Sequence, residues 1–396
     1  MRRGAALCAA VWIFLFFPCG SAWAQEAAKG IEEEKAQEVI AETIDQVLSG
    51  VDFSAVQEME ITMPGEEEAQ SVEAFVRKLI SGEAIDADAL VTALFGEFAA
   101  RLASLKTMLI SILLPVLLTS LMAQTIAGKD GGMKAIGKQA GFLFALIPII
   151  TLIVSELRHT KEVIVLMTHR MDKLLPMLLT LLTALGGSAS SAFLHPMVAL
   201  ASGSMVFLAR EVVLRLVMCT CAVTAINHLS SSAHLSRMAQ LLRGVVCWLL
   251  GVSFTVFLGA MSLQGVCSAS IDGVAIRAAK YAVDNFVPII GGMFSDTMDT
   301  LVGCTLIVKN ALGAAAMVVL VTSLISPLLG TVSSIFALKL CAALLEPVAD
   351  EGVVSAIGDF SKTLVLFFVT MLCVATMYFL LIVQVLLVGN LTVLLR

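Results

Sequence analysis

The chain has 396 residues, of which 59% are hydrophobic and 14% are charged, and its formal net charge is −6. Soluble domains carry about 45–50% apolar and about 25% charged residues, so this composition excludes an ordinary soluble protein and predicts a polytopic membrane protein. Residues 25–105 hold 18 acidic and 5 basic side chains, a net charge of −13. Such an acidic region argues against nucleic acid as a partner, because phosphate backbones bind basic surfaces.

The first 24 residues have the pattern of a secretory signal peptide. Two arginines precede the short apolar run Ala5–Phe17, and the tripeptide Ala22-Trp23-Ala24 has the small-residue form of a cleavage site. An uncleaved anchor is the alternative interpretation. The pattern predicts cleavage after Ala24, which places the residues that follow outside the cytoplasm.

The acidic segment 25–105 is predicted to be helical and exported. Apolar residues recur at helical spacing in three stripes, Ile40–Val51, Val72–Ile80 and Leu94–Leu105. Stripes of this period are typical of amphipathic helices. The third stripe continues into the first predicted membrane span without an interrupting turn signal.

Residues 106–396 are predicted to form a transmembrane domain with about seven crossings and one re-entrant segment, Pro288–Val308. A crossing needs roughly 20 apolar residues. The predicted apolar spans are Thr107–Ala127, Ala140–Ser155, Leu174–Ser190, a stretch within Met197–Ile226, Gly244–Ser262, Phe286–Val308, Ala311–Leu345 and Leu364–Val388. The lysines of loop 128–139 favour a cytoplasmic position for that loop. Residues 230–243 suggest either an interfacial helix or an ordinary connector helix.

Charged residues and a broken backbone coincide in the stretch 281–313. Pro288, Gly291 and Gly292 interrupt the apolar sequence. The polar residues Asp296, Asp299, Lys309 and Asn310 follow. Charges at membrane depth must be buried in protein or face water. Two hypotheses remain open: the two aspartates share a helix face and bind a cation or relay protons, or they cap a helix while Lys309 pairs across a re-entrant hairpin.

A second intramembrane pair is predicted between Glu211 and Arg215, four residues apart with the acid first. We expect a buried ion pair that fixes helix register rather than a site for a transported ion. The sequence has no nucleotide-binding loop, no zinc-protease motif and no nucleophile elbow. It therefore predicts neither an enzyme nor a catalytic residue, cofactor or metal site.

The run KYAVDNFVPIIGGMFSDTMDTLVGCTLIVKNALG, Lys280–Gly313, resembles the core of the stage III sporulation protein AE family of endospore-forming bacteria. The layout of signal, acidic helical segment, several spans and short C-terminus is similar to that family throughout. The resemblance implies a protein in the mother-cell membrane around the forespore. It also implies a role in a secretion-like transenvelope channel, with other stage III A proteins and a forespore membrane partner.

Three functional hypotheses follow. In the first, the chain is a membrane component of that channel, and 288–308 lines or braces a pore. In the second, it is a secondary transporter that uses Asp296 and Asp299 as an ion site. In the third, it is a structural scaffold whose acidic segment recruits partners. The lipid bilayer is a partner in all three, and self-association into homo-oligomers is left open.

Overall fold

The computed structural model describes residues 35–50, 53, 60–61, 70–81, 87–126, 131–229, 235–286 and 291–394. Long α-helices dominate this part of the chain. The elements are α1 (Lys35–Gly50), β1 (Glu60–Ile61), β2 (Gln70–Ser71), α2 (Val72–Ile80), α3 (Ala87–Ile126), α4 (Gly131–Ala184), α5 (Ser188–Phe207), a π-helical segment (Leu208–Val213), α6 (Leu214–Leu229), α7 (Ser236–Phe286), α8 (Gly291–Leu345) and α9 (Glu351–Leu394). The predicted helical character is confirmed for these residues.

Helix α9 occupies the centre of the bundle. It packs against α4, α5, α6, α7 and α8, and its buried side chains include Phe360, Phe367, Ile382 and Val385, all at 0% exposure. A helix that is apolar on most of its circumference is stable where other helices or lipid surround it. The central position of α9 agrees with its apolar sequence.

Among the described residues, three helical stretches are long and apolar enough to cross a membrane: Ser236–Leu263, Thr300–Leu345 and Glu351–Leu391. They belong to α7, α8 and α9. The sequence predicted about seven crossings, which is more than the three stretches found among the described residues. With 55 residues, α8 would measure roughly 82 Å if straight, far more than the ~30 Å hydrocarbon core of a bilayer.

Helix α4 corrects the prediction of two short spans separated by a charged loop. It is one helix of 54 residues that contains both predicted spans, Ala140–Ser155 and the first part of Leu174–Ser190, together with the charged stretch between them. No turn residues interrupt that stretch, and Arg170 hydrogen-bonds to α8. The tertiary contact lets the helix continue where a hydropathy profile indicates a loop.

Helix α8 corrects the prediction of a re-entrant segment. From Gly291 the chain is helical without a break to Leu345, so the return turn expected near Val308 is not seen. Lys309 is accommodated by hydrogen bonds to α9 instead of pairing across a hairpin. The helix contains one proline, Pro327, which removes a backbone donor from its hydrogen-bond ladder.

For residues 230–243 the sequence left two alternatives, an interfacial helix or a connector helix, and the structure makes residues 236–243 the first turns of the long helix α7. It begins at Ser236 and continues to Phe286. Arg243, expected on a polar outer face, is only 6% exposed. Residues 230–234 lie outside the described part of the chain.

The acidic segment contributes α1, α2 and the first turns of α3. Leu48, Phe75 and Val76 belong to the main apolar core, and α1 and α2 pack against α8. Arg77 connects these two helices through Asp45, at 2.6 Å, and that hydrogen bond raises the pKa of Arg77. The bond is solvent-exposed and contributes little stability, so apolar packing holds the segment on the bundle.

Helix α3 confirms that the third predicted stripe runs directly into the first apolar span. It extends from Ala87 to Ile126 as one helix. Ile112 and Val116 bury one face where α3 packs against α4. The boundary predicted between residues 105 and 106 thus falls inside a continuous helix.

Candidate functional site

Lys309 lies in the apolar core between α8 and α9. Its side chain is 0% exposed and is one of the largest fully buried side chains among the described residues. Nζ donates to the backbone carbonyl of Leu386 at 2.9 Å and lies 3.4 Å from Oδ1 of Asn390. A buried ammonium group is tolerated only when its donors are satisfied, and α9 supplies these acceptors.

Two glycines make room for this contact. A Cβ at Gly389 would overlap Nζ of Lys309 and lie 2.9 Å from its Cε. A Cβ at Gly313, one turn after Lys309 on α8, would lie 2.7 Å from Cδ1 of Leu386. The absence of side chains at both positions therefore permits the close approach of α8 and α9 at the level of Lys309.

Asn310 adjoins Lys309 and is half-buried. Its Oδ1 is buried, and no hydrogen-bond partner for this atom is found in the described part of the chain. Of the other residues predicted in this region, Gly291 and Gly292 form the first turn of α8. Pro288, the side chains of Asp296 and Asp299, and Ala24 lie outside the described residues.

The predicted ion pair between Glu211 and Arg215 is formed. Glu211 lies in the π-helical segment Leu208–Val213 and Arg215 in the first turn of α6. The expected burial is wrong, because the side chains are 38% and 74% exposed. This pair lies on the outside of the bundle, and Nε of its neighbour Arg210 is buried without a hydrogen bond in the described structure.

A cluster around Asp359 of α9 was not predicted. Its carboxylate lies 3.2 Å from Nε2 of His228 on α6, 3.5 Å from Nη1 of Arg243 on α7 and 2.9 Å from Nζ of Lys362. Arg243 also donates to the backbone carbonyl of Asp359 at 3.1 Å and to Oγ1 of Thr224 at 3.2 Å. The cluster joins three helices through charges that are largely shielded from solvent.

A second unpredicted cluster surrounds Glu156 of α4, which is 7% exposed. Thr331 Oγ1 and Ser334 Oγ, both on α8, donate to its two carboxylate oxygens at 3.0 and 2.8 Å. On the same side of α8, Arg101 of α3 donates to Ser326 Oγ at 2.7 Å. Hydroxyl groups along α8 thus satisfy charged groups from α3 and α4.

A hydropathy profile does not distinguish the charged residues of these clusters from charged residues in loops. For the Glu156 cluster, one sequence signal is the hydroxyl spacing Ser323, Ser326, Thr331 and Ser334, which places these polar groups on one side of α8. Among the described residues, no group of three or more histidine, cysteine, aspartate or glutamate side chains could hold a metal ion. The arrangement pairs helices through satisfied polar contacts.

These features define a bundle of long apolar helices with internally satisfied charges, which is consistent with a membrane protein. The chain belongs to the stage III sporulation protein AE family, whose sequence pattern matches residues 70–389; the predicted resemblance is confirmed. Stage III sporulation protein AE of Bacillus subtilis (strain 168) is 31% identical over 240 residues, which are 61% of this chain and 60% of that protein. The match thus spans less than two thirds of that relative. No solved structure matches the chain.

Proposed function

We propose that this protein is an integral membrane component of a secretion-like channel between the mother cell and the forespore. The observation that carries the proposal is the family match over residues 70–389, which runs from β2 through most of α9. The three apolar stretches of α7, α8 and α9 support a position in a membrane, and in this proposal that membrane is the mother-cell membrane around the forespore. The acidic segment then lies between the two membranes.

The partners in this proposal are the other stage III A proteins and a forespore membrane protein. Lys309, Glu156 and Asp359 are engaged by contacts within the bundle, so they are not offered as sites for a transported ion. No observation on the described residues favours the secondary-transporter or the scaffold hypothesis. Any ATP hydrolysis that drives the channel is carried out by another protein, since this sequence has no nucleotide-binding loop.

Affinity purification after cross-linking tests the proposal directly. The full chain carries a C-terminal tag in sporulating cells of its native host, and membranes are cross-linked before extraction in detergent. We expect other stage III A proteins in the eluate, and no enrichment of them with an unrelated tagged membrane protein of equal abundance. Recovery of the tagged chain without any of them would contradict the channel role.

The variants Asp296→Asn and Asp299→Asn test the predicted role of the family-specific segment. If these carboxylates line or brace the pore, spore yield falls while the protein remains at its normal level in the membrane, because a neutral amide keeps the shape but loses the charge. Spore counts and quantitative immunoblots of membrane fractions measure the two effects. The matched control is Glu351→Gln, at an exposed position in the first turn of α9, which we expect to be silent.

Normal sporulation of both aspartate variants at normal protein level would remove these residues from the functional site. A loss of the protein itself would assign them a structural role. The copurification experiment remains informative in either case, because it does not depend on these two side chains.

A further inference from the structure

The middle of α4 lies alongside the apolar stretches of α8 and α9. Arg170 donates to the backbone carbonyl of Val319 at 3.4 Å and to Oγ of Ser323, near the midpoint of the apolar stretch Thr300–Leu345. Thr168 accepts a hydrogen bond of 3.1 Å from the hydroxyl of Tyr378, inside the stretch Glu351–Leu391. If α8 and α9 cross the membrane there, this part of α4 lies at membrane depth.

The inward face of α4 at this level is closely packed, and most of its side chains are apolar. Its side chains at 0% exposure are Ile164, Met167, Met171, Leu174 and Leu178. The opposite face is polar. We call it the α4 outer stripe; its exposed residues are Arg158, Lys161, Glu162, Val165, Leu166, His169 and Asp172. The spacing of three and four residues places them on one side of the helix.

The α4 outer stripe cannot face lipid at this depth without a large cost. It carries two basic and two acidic side chains and a histidine, and no ion pair satisfies any of them within the described part of the chain. Charged groups in membrane-spanning segments face protein or water, because hydrocarbon offers no hydrogen-bond partner. A surface of this composition therefore requires something to cover it.

The composition of the stripe matches a second copy of itself. Lys161 and Glu162 lie on either side of the midline of the stripe, and Val165 and Leu166 form an apolar centre one turn further along. Copies inserted in one membrane have the same orientation, so a twofold axis along the membrane normal brings the same face of both copies together. Because Lys161 and Glu162 are neighbours, each can meet the opposite charge across that axis.

A cleft beside the stripe supports this arrangement. It lies between α4 and α6 and is lined by Leu157, Lys161, Leu214, Arg215 and Met218. Its lining combines three apolar and two basic side chains. Such a site suits an apolar side chain with an acidic neighbour, and the stripe offers both in Leu166 and Glu162.

We propose that the α4 outer stripe is the interface between two copies of this chain in the membrane. The proposal uses only that part of the proposed function which places α8 and α9 across a bilayer, and it does not require the channel role. It gives the exposed pair Glu211–Arg215, next to the cleft, a position at the edge of the same interface. The charged middle of α4 is then covered by protein rather than by lipid.

Cysteine cross-linking of the full chain in native membranes tests the interface. Val165→Cys is introduced into a background in which the natural cysteines are replaced by alanine. The matched control in the same background is Val256→Cys on α7, which is also exposed, at 65%. After mild oxidation we expect about tenfold more disulfide-linked dimer for Val165→Cys than for Val256→Cys, because only Val165 lies in the proposed twofold interface.

Charge exchange provides the second measurement. Lys161→Glu alone and Glu162→Lys alone are each expected to reduce the dimer formed by Val165→Cys several-fold, because each brings like charges together. The double exchange restores the opposite signs and is expected to restore the dimer. If Val165→Cys fails to accumulate, Leu166→Cys replaces it in the same experiment.

Three results would overturn the proposal. Reaction of monomeric Val165→Cys with a membrane-impermeant thiol reagent would show that the stripe faces water. A cross-link to a different protein would assign the stripe to another subunit. A monomer that does not react would place it against lipid. Extraction of the chain from membranes by alkaline carbonate would contradict the membrane position itself. That result would count against the proposed function, whereas the three results above count against the interface alone.

Discussion

Asp359→Ala is expected to destabilise the folded bundle by about 3–5 kcal/mol, the usual effect of removing one partner from a buried ion pair. Arg243 is only 7% exposed at its side chain and lies 3.5 Å from the Asp359 carboxylate. Without that carboxylate the guanidinium keeps its hydrogen bonds to Thr224 and to the backbone of residue 359 but has no compensating charge. Thermal unfolding of the purified protein in detergent measures the loss.

Lys362→Ala is the matched control for this prediction. Lys362 bonds to the same carboxylate at 2.9 Å, but its side chain is 65% exposed. Exposed ion pairs contribute about 0–1 kcal/mol, so we expect almost no change in stability. The double variant Asp359→Ala with Arg243→Met should recover part of the loss, because the buried guanidinium charge is then absent and the exposed Lys362 is solvated by water. Equal effects of Asp359→Ala and Lys362→Ala would show that the cluster is not buried.

Gly389→Ala is expected to destabilise the protein by about 1–3 kcal/mol, the range for overpacking a tight core. The added methyl group overlaps Nζ of Lys309 and lies 3.2 Å from Cδ1 of Leu182. Because Lys309 is completely buried, its ammonium group cannot move aside without losing the carbonyl of Leu386. Thermal unfolding and the fraction of monodisperse protein after extraction measure the effect.

Gly358→Ala on the same helix is the control for this second prediction. A Cβ there meets no atom within 4 Å, so the substitution should be neutral or stabilise the protein by up to about 1 kcal/mol through helix propensity. In a double variant, Lys309→Ala should relieve the effect of Gly389→Ala, since the overlapping atoms are gone. Full additivity of the two substitutions would contradict the contact.

The sequence predicted the parts of the fold that depend on local pattern. The apolar stripes of 40–51 and 72–80 correspond to α1 and α2. The absence of a turn signal before Thr107 predicted that α3 is continuous. These features follow from periodicity along the chain, which is a property of neighbouring residues. No tertiary information is needed to read them.

The sequence could not identify the partners of the buried charges. Lys309 was recognised as unusual, but its acceptors are 77 and 81 residues away on α9. Glu156 was assigned to a loop, because the hydroxyls that bind it are contributed by a helix that begins 135 residues later. A hydropathy profile shows that a charged residue lies in an apolar segment, where its burial costs free energy. Only the packed structure shows which groups form hydrogen bonds to it.

Pro327 gives α8 a point of lower bending stiffness. A proline has no backbone N–H, so the carbonyl of Ser323 lacks its normal intrahelical donor. That carbonyl lies between the contact of Arg170 with Ser323 and the contact of Arg101 with Ser326. A bend in α8, if one forms, is therefore expected at this level, where Arg170 from α4 and Arg101 from α3 contact the helix.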